Sequence, residues 1–229
     1  MEPLVIIPAR GGSTRIARKN VKSFNGAPMI HWPISAALGC VSSDRIIVST
    51  EDAEIAEAAV AAGASVPFVR PVEFADDHAG TAPVIVHALD EMGVDGDTSV
   101  MCLYPTAPMP SAMLAQALQR GQEHPDEFIV SLGRHRSPHE RSVVPRGDGT
   151  MELSDSRALL TRTQDLPQRY FDAGKFYVAT ADTWRARTTM MAEPFVPFLL
   201  PDWASVDMDE PDDWAVAEAL HRAFVMEEE

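Results

Sequence analysis

The chain has 229 residues, 45% hydrophobic and 23% charged with no low-complexity tract, the composition of an ordinary globular protein large enough for one α/β domain. Its 34 acidic and 19 basic residues leave a formal net charge of −15, which excludes non-specific binding to a nucleic-acid backbone. No apolar run approaches the roughly 18–20 residues of a membrane helix, and Met1 leads straight into Leu4-Val5-Ile6-Ile7 without a basic leader, so a cytoplasmic chain with neither membrane nor nucleic acid as partner is expected.

Strand and helix patterns then alternate. Leu4–Pro8 is a short apolar run of the kind buried on both faces of a parallel sheet. Met29–Gly39 reads as a helix and Arg45–Thr50 as a second strand, followed by an alanine-rich helix over Asp52–Ala62 that Gly63 stops. Ser65–Arg70 reads as a third strand, Ala82–Met92 as a helix and Ser99–Tyr104 as a fourth strand ended by Pro105. Ser111–Gly121 is again helical and Glu127–Leu132 is a fifth strand. This rhythm predicts a doubly wound, mostly parallel sheet with helices on both faces.

From Gly133 to Asp172 the rhythm breaks into a segment rich in Arg, Pro, Ser and Asp. A structureless loop of that length is uncommon inside a domain, so the segment is expected to be functional or an association element. Lys175–Thr180 and Phe195–Leu200 resume strands, and Trp214–Phe224 closes the chain as an amphipathic helix. With no internal repeat and no linker, residues 1–229 are read as one domain with an excursion at 133–172.

Cys40 and Cys102 are the only cysteines, both in apolar neighbourhoods, and they are expected to be buried thiols. Neither a CxxC pair nor a Cys/His zinc spacing is present. His135 and His139 stand four apart, but Pro138 between them breaks any helix, so they read as loop histidines.

The chemistry-bearing segment follows the first strand: Arg10-Gly11-Gly12-Ser13-Thr14-Arg15-Ile16-Ala17-Arg18-Lys19-Asn20. Arg10, Arg15, Arg18, Lys19 and Lys22 concentrate charge in a protein otherwise poor in cations. Gly11 and Gly12 permit a sharp turn that brings backbone N–H groups to a ligand, and the carboxyl end of a strand is where an open α/β sheet forms its ligand crevice. The loop matches neither GxxxxGK[ST] nor GxGxxG. A phosphate-binding turn is the reading; a solvated basic loop is the alternative.

A second element is Asp207-Met208-Asp209, after the strand-like Ala204-Ser205-Val206. Strand alternation would put both carboxylates on one face, where hard oxygen ligands suit Mg²⁺ or Mn²⁺. The alternative is an acidic helix start shared with Glu210, Asp212 and Asp213.

These segments resemble the acylneuraminate cytidylyltransferase family, and the resemblance runs nearly end to end. It takes in Val48-Ser49-Thr50, Phe68-Val69-Arg70-Pro71, Asp76-Asp77-His78-Ala79-Gly80-Thr81-Ala82 and Tyr104-Pro105-Thr106-Ala107-Pro108. It continues through Arg162-Thr163-Gln164-Asp165-Leu166, Phe171-Asp172-Ala173-Gly174-Lys175-Phe176-Tyr177 and Asp207-Met208-Asp209. The DDHAGTA stretch, the Tyr before PTAP and the FDAGKFY stretch are most similar to the branch that activates pseudaminic acid.

The resemblance implies transfer of CMP from CTP to the anomeric hydroxyl of a nine-carbon acidic sugar, with release of pyrophosphate. It places Arg10, Gly11, Gly12, Ser13, Arg15, Lys19, Asn20, Arg70 and Thr81 on the nucleotide, with local turn capping as the alternative for Asn20 and Thr81. Asp207 and Asp209 would hold the metal and, with Arg10 and Lys19, carry catalysis. Tyr104, Arg162, Gln164, Tyr170, Asp172, Lys175 and Tyr177 would meet the sugar, with core packing as the alternative for Tyr104 and Tyr177.

Relatives specific for sialic acid carry Gln where Tyr104 stands and Asn where Ala173 stands, and loss of both amides favours a less hydroxylated sugar. Sialic, legionaminic and keto-deoxyoctonic acids are the alternatives. The excursion resembles a dimerisation arm that would carry Arg162 into the partner's site of a homodimer. Thr14 departs from the family's usual Lys, which motivates one reading from another class, a catalytically silent nucleotide-binding dimer. The retained Asp207 and Asp209 count against it.

Overall fold

The computed structural model describes residues 2–13, 15–75 and 80–226. Thr14 and the family-like Asp76-Asp77-His78-Ala79 lie outside the described residues.

Strand β1 (Leu4–Pro8) is buried almost throughout, as its unbroken apolar run demands. A hairpin follows, β2 (Ser23–Phe24) and β3 (Ala27–Pro28), turned by Asn25-Gly26 at φ 45° and 90°. Asparagine and glycine tolerate this left-handed backbone best. Helix α1 (His31–Leu38), strand β4 (Ile46–Ser49), helices α2 (Ala53–Ala61) and α3 (Thr81–Glu91), and strand β5 (Ser99–Leu103) come next. They are followed by α4 (Ser111–Glu123), β6 (Phe128–Arg134) and a second hairpin of β7 (Val143–Pro145) with β8 (Met151–Leu153). Strand β9 (Tyr170–Thr180), helix α5 (Ala181–Ala186), strand β10 (Phe195–Leu199) and helix α6 (Pro211–His221) complete the fold.

One sheet runs in the order β10-β6-β9-β5-β1-β4. Strands β4, β1 and β5 pair in parallel, as do β6 and β10, while β9 lies antiparallel to β5 and β6. The sheet is therefore mostly parallel, and alternating residues feed two cores. Val5, Ile7, Val48 and Leu103 meet α1, α2 and α4 on one face; Leu4, Ile6, Ile47 and Cys102 meet α3 and α5 on the other. Each such buried aliphatic side chain contributes about 1.5–3 kcal/mol. Among the described residues no helix is long and apolar enough to cross a membrane.

Three sequence expectations require correction. Ser65–Arg70 is not a strand: only Ser65 bridges Ile47, because the exposed Pro67 has no N–H for a ladder and Val69 is exposed. Ala204–Val206 is not a strand either. Asp202–Ser205 forms a 3₁₀ turn after Pro201, and the Val206 carbonyl is taken by Lys175 Nζ at 2.7 Å rather than by a ladder.

The excursion, lastly, is shorter than 133–172. Leu132, Gly133 and Arg134 pair with Asp172, Phe171 and Tyr170, so β9 starts five residues before Lys175. The bulge that hid this continuity lies between Asp172 and Tyr177. There Ser131 Oγ accepts from the Lys175 and Phe176 N–H groups, and Gly174 takes φ 57°. Both cysteines are free thiols; Cys102 is fully buried and Cys40 half-buried.

Candidate active site

Parallel strands β4, β1 and β5 end on one edge of the sheet, and a cavity of about 290 Å³ opens there. Arg10, Ser13, Arg15, Lys19 and Asn20 line it from the loop after β1; Arg70, Thr81 and Tyr104 line it from the other side. Phe74, Val84 and Thr106 also line it and were not singled out by sequence reasoning. Thr106 was legible in the PTAP stretch, whereas Phe74 and Val84 carry no signal beyond apolarity.

The glycine loop is held from below. Ile16 is buried beside Met208, Phe24, Met29 and Trp214, which fixes the middle of the loop to helix α6 and the first hairpin. Arg18, at φ 53°, grips Asp52 with its two terminal nitrogens at 2.5 and 3.0 Å and also reaches Glu54. Asp52 in turn caps α2 by accepting from the N–H groups of Glu54 and Ile55. Asn20 donates to the Arg10 carbonyl at 2.9 Å, so it braces the loop backbone while lining the cavity. The Gly11 N–H, expected to face a ligand, instead donates at 2.7 Å to Glu51, two residues beyond β4. Thr81 begins helix α3, and its hydroxyl is hydrogen-bonded to that of Tyr104.

Asp207 and Asp209 reach the same place by packing rather than by strand alternation. Met208 between them is 1% exposed and sits in the cluster that holds Ile16, so its neighbours on either side remain at the surface. One apolar cluster thereby brings Arg15 and Asp209 together. Arg15 meets Asp209 at 2.6 Å; Lys19 Nζ lies 3.5 Å from the same carboxylate and donates to the Met208 carbonyl at 2.9 Å. With 60% of the Arg15 side chain exposed, its ion pair contributes at most about 1 kcal/mol. A phosphate or cation can displace it at small cost.

Underneath, Lys175 is 3% exposed and donates to the Val206 and Thr106 carbonyls at 2.7 and 3.4 Å. Burial pushes its pKa down to about 8, against the pull of Asp207 and Asp209 and with the help of nearby Lys19. The acidic-helix-start alternative holds for Glu210, which caps α6, and for Asp212 and Asp213 in its first turn. Asp213 accepts from the N–H groups of Asp209 and Glu210 at the start of α6, whereas Asp207 and Asp209 precede the helix.

Among the described residues no three His, Cys, Asp or Glu side chains converge into a metal cage. His135 and His139 stand with ring centroids 6.2 Å apart in the excursion. The donor set at hand is two surface carboxylates, with that of Asp209 held by Arg15 and Lys19; an ion of the Mg²⁺ kind takes one or two protein carboxylates and completes its shell with phosphate and water.

Of the residues expected on the sugar side, Tyr104 lines the cavity and Tyr177 packs edge-on to it at 6.1 Å. Tyr177 donates to Asp172 at 2.6 Å, and burial pushes both tyrosine pKa values up, so both rings are neutral donors. Arg162 and Gln164 lie elsewhere, exposed in the excursion, with Arg162 bonded to Asp165 at 2.8 Å. Tyr170 is 46% exposed at the start of β9. This chain alone does not bring those three to the cavity.

Residues 4–205 match the model of the family described as cytidylyltransferase. The chain belongs to that family. The cytidylyltransferase is 33% identical over 225 residues to the pseudaminic acid cytidylyltransferase of Campylobacter jejuni, covering 97% of each chain. It is 31% identical over 227 residues to the CMP-N,N'-diacetyllegionaminic acid synthase of Legionella pneumophila, covering 96% of each. Its fold is shared with a solved CMP:2-keto-3-deoxy-manno-octonic acid synthetase complexed with CTP, at a TM-score of 0.68 and 19% identity over 97% of this chain and 99% of that one. The cavity at the carboxyl edge therefore belongs to an enzyme that transfers a nucleotidyl group.

Proposed function

We propose that this cytidylyltransferase transfers CMP from CTP to the anomeric hydroxyl of a nine-carbon acidic sugar, pseudaminic acid being favoured, with release of pyrophosphate. The observation that carries the reading is the meeting of the glycine loop with the aspartate pair, through Arg15 and Lys19 at 2.6 and 3.5 Å from Asp209. Arg10, Arg15 and Lys19 would bind the triphosphate, and positioning with charge neutralisation is most of what phosphoryl-type transfer asks of a protein. As phosphates draw Arg15 away, the Asp209 oxygens become available. Asp207 and Asp209 would hold Mg²⁺ or Mn²⁺, which supplies charge neutralisation and acidity for the attacking hydroxyl. Asn20, Arg70 and Thr81 would meet base and ribose, with Gly11, Gly12 and Ser13 shaping the turn.

The sugar would sit against Tyr104 and the Tyr177–Asp172 pair, with Lys175 bracing the floor. Two percentage points of identity do not separate the pseudaminic from the legionaminic relative; Tyr104 and Ala173 in place of two amides support a sugar less hydroxylated than sialic acid. Excursion residues 135–169 display Val143, Met151, Leu159 and Leu160, the last 93% exposed. Such apolar surface supports a homodimer in which Arg162, Gln164 and Tyr170 serve the partner's site. Two free thiols suit the reducing cytoplasm.

The test is pyrophosphate release from CTP and Mg²⁺ with pseudaminic, legionaminic, sialic and keto-deoxyoctonic acids in parallel. Turnover with pseudaminic acid at the highest kcat/KM is expected; no release with any of them from folded protein overturns the reading.

A further inference from the structure

Glu51 stands two residues after β4, and its single carboxylate joins the two walls of the cavity. Oε1 accepts the Gly11 N–H of the glycine loop at 2.7 Å, and Oε2 accepts from Arg70 Nη2 and Nε at 2.6 and 3.2 Å. Arg70 is 3% exposed and lines the cavity, with its own N–H bonded to the Thr50 carbonyl at 2.9 Å. A guanidinium on a long, rotatable stem recognises a ligand only if its plane is fixed within a fraction of an ångström. The two-pronged contact with Glu51 fixes that plane. The same carboxylate sets the depth of the glycine turn, and Asp52 limits it from the other side, since a Cβ on Gly11 would meet Asp52 Oδ2 at 2.5 Å. Burial raises the Glu51 pKa, but the hydrogen bonds from Arg70 and Gly11 outweigh it, so the group remains an anion.

We infer that Glu51 is a positioning residue for nucleotide recognition: through one carboxylate it aims Arg70 at the nucleotide and holds the glycine loop in register with it. The inference rests on the reading that this cavity takes CTP. A purely structural ion pair would affect folding and leave substrate affinities together; a positioning residue moves the nucleotide and spares the sugar.

Glu51→Gln removes the charge and leaves one acceptor oxygen where Gly11 and Arg70 now use two, so the carboxylate can no longer join both. Calorimetry with CTP and steady-state kinetics with each substrate varied, on the full-length wild type, Glu51→Gln, Arg70→Ala and the double variant, provide the test. Glu51→Gln should weaken CTP binding by about tenfold or more and leave the sugar KM within about twofold, as loss of a charge-assisted contact predicts. On the Arg70→Ala background the same change should cost less than about threefold, since there is no guanidinium left to aim.

If the wild type binds CTP and Glu51→Gln binds it equally well, or if both KM values rise together, the inference fails and the nucleotide reading stands. If the wild type does not bind CTP, the nucleotide reading itself fails. Should Glu51→Gln not fold, Arg70→Lys carries the same prediction, because it keeps the charge and loses the fork; unchanged CTP affinity there overturns the inference too.

Discussion

Replacing His221 with phenylalanine should remove a specific part of the enzyme's acid sensitivity. His221 is 2% exposed at the end of α6, with its ring edge-on to Phe24 and Trp32 at 5.3 and 4.4 Å. Asn25 Nδ2, an amide donor, points at its Nδ1 at 3.1 Å, which requires an unprotonated nitrogen there. Burial first, and the charge of Arg222 second, bring its pKa down from 6.5 to about 4. The folded value lies below the unfolded one, so between the two the unfolded chain binds more protons, and stability falls as pH falls from 6.5 towards 4. At about 1.4 kcal/mol per pKa unit, the full loss is about 3 kcal/mol, of which about 2 kcal/mol falls between roughly pH 7 and pH 5.

The loss matters to the site because the same cluster seats Ile16 and Met208, and so holds Arg15 against Asp209. Denaturant unfolding of wild type and His221→Phe at the two pH values checks this. The variant loses one hydrogen bond, worth about 1 kcal/mol, at both, so the comparison lies in the slopes. The wild type should lose about 2 kcal/mol more than the variant on acidification. Parallel profiles would show that protonation of His221 has no part in acid sensitivity, and the argument would be wrong.

Gly11→Ala places a Cβ 2.5 Å from Asp52 Oδ2, so the carboxylate must move and loosen its hold on Arg18; CTP affinity, measured by calorimetry, should fall about tenfold, in keeping with a displaced charge-assisted contact. Asp209→Ala should reduce kcat by about two orders of magnitude or more with a melting temperature changed by no more than a few degrees, because its shortest ion pair is with the largely exposed Arg15 while its proposed role is at the reacting phosphate; near-normal pyrophosphate release would remove that role. Leu160→Asp combined with Met151→Asp should convert the proposed dimer to a monomer in sedimentation velocity, since both side chains stand in the open, 93% and 62% exposed; an unchanged sedimentation coefficient would place the interface elsewhere.

The alternation of strands and helices was legible because local period and terminators encode it. The unbroken Leu4–Pro8 run, Gly63 after the alanine-rich helix and Pro105 after β5 each mark an element by local chemistry. The Asn25-Gly26 pair is a local hairpin signal of the same kind, between Phe24 and Ala27. What local pattern does not carry is partnership across the chain. Met208 looks like one apolar residue between two acids; its packing against Ile16, far away in sequence, is what turns Asp207 and Asp209 towards the basic loop. Glu51 reads as an ordinary helix-start acid until Arg70 and Gly11 are seen to share it. Asp172 and Gly174 weaken the strand pattern at the start of β9, and only the bulge over Ser131 shows that the pairing continues.

On this reading the glycine loop and the aspartate pair serve one nucleotide and one cation. A crystal structure of the wild-type enzyme with CTP and Mg²⁺ tests it most directly. The triphosphate should lie against Arg10, Arg15 and Lys19, with the ion bound to Asp207 or Asp209 and to a phosphate oxygen. A nucleotide bound away from that loop, or an ion with neither aspartate in its shell, would contradict it.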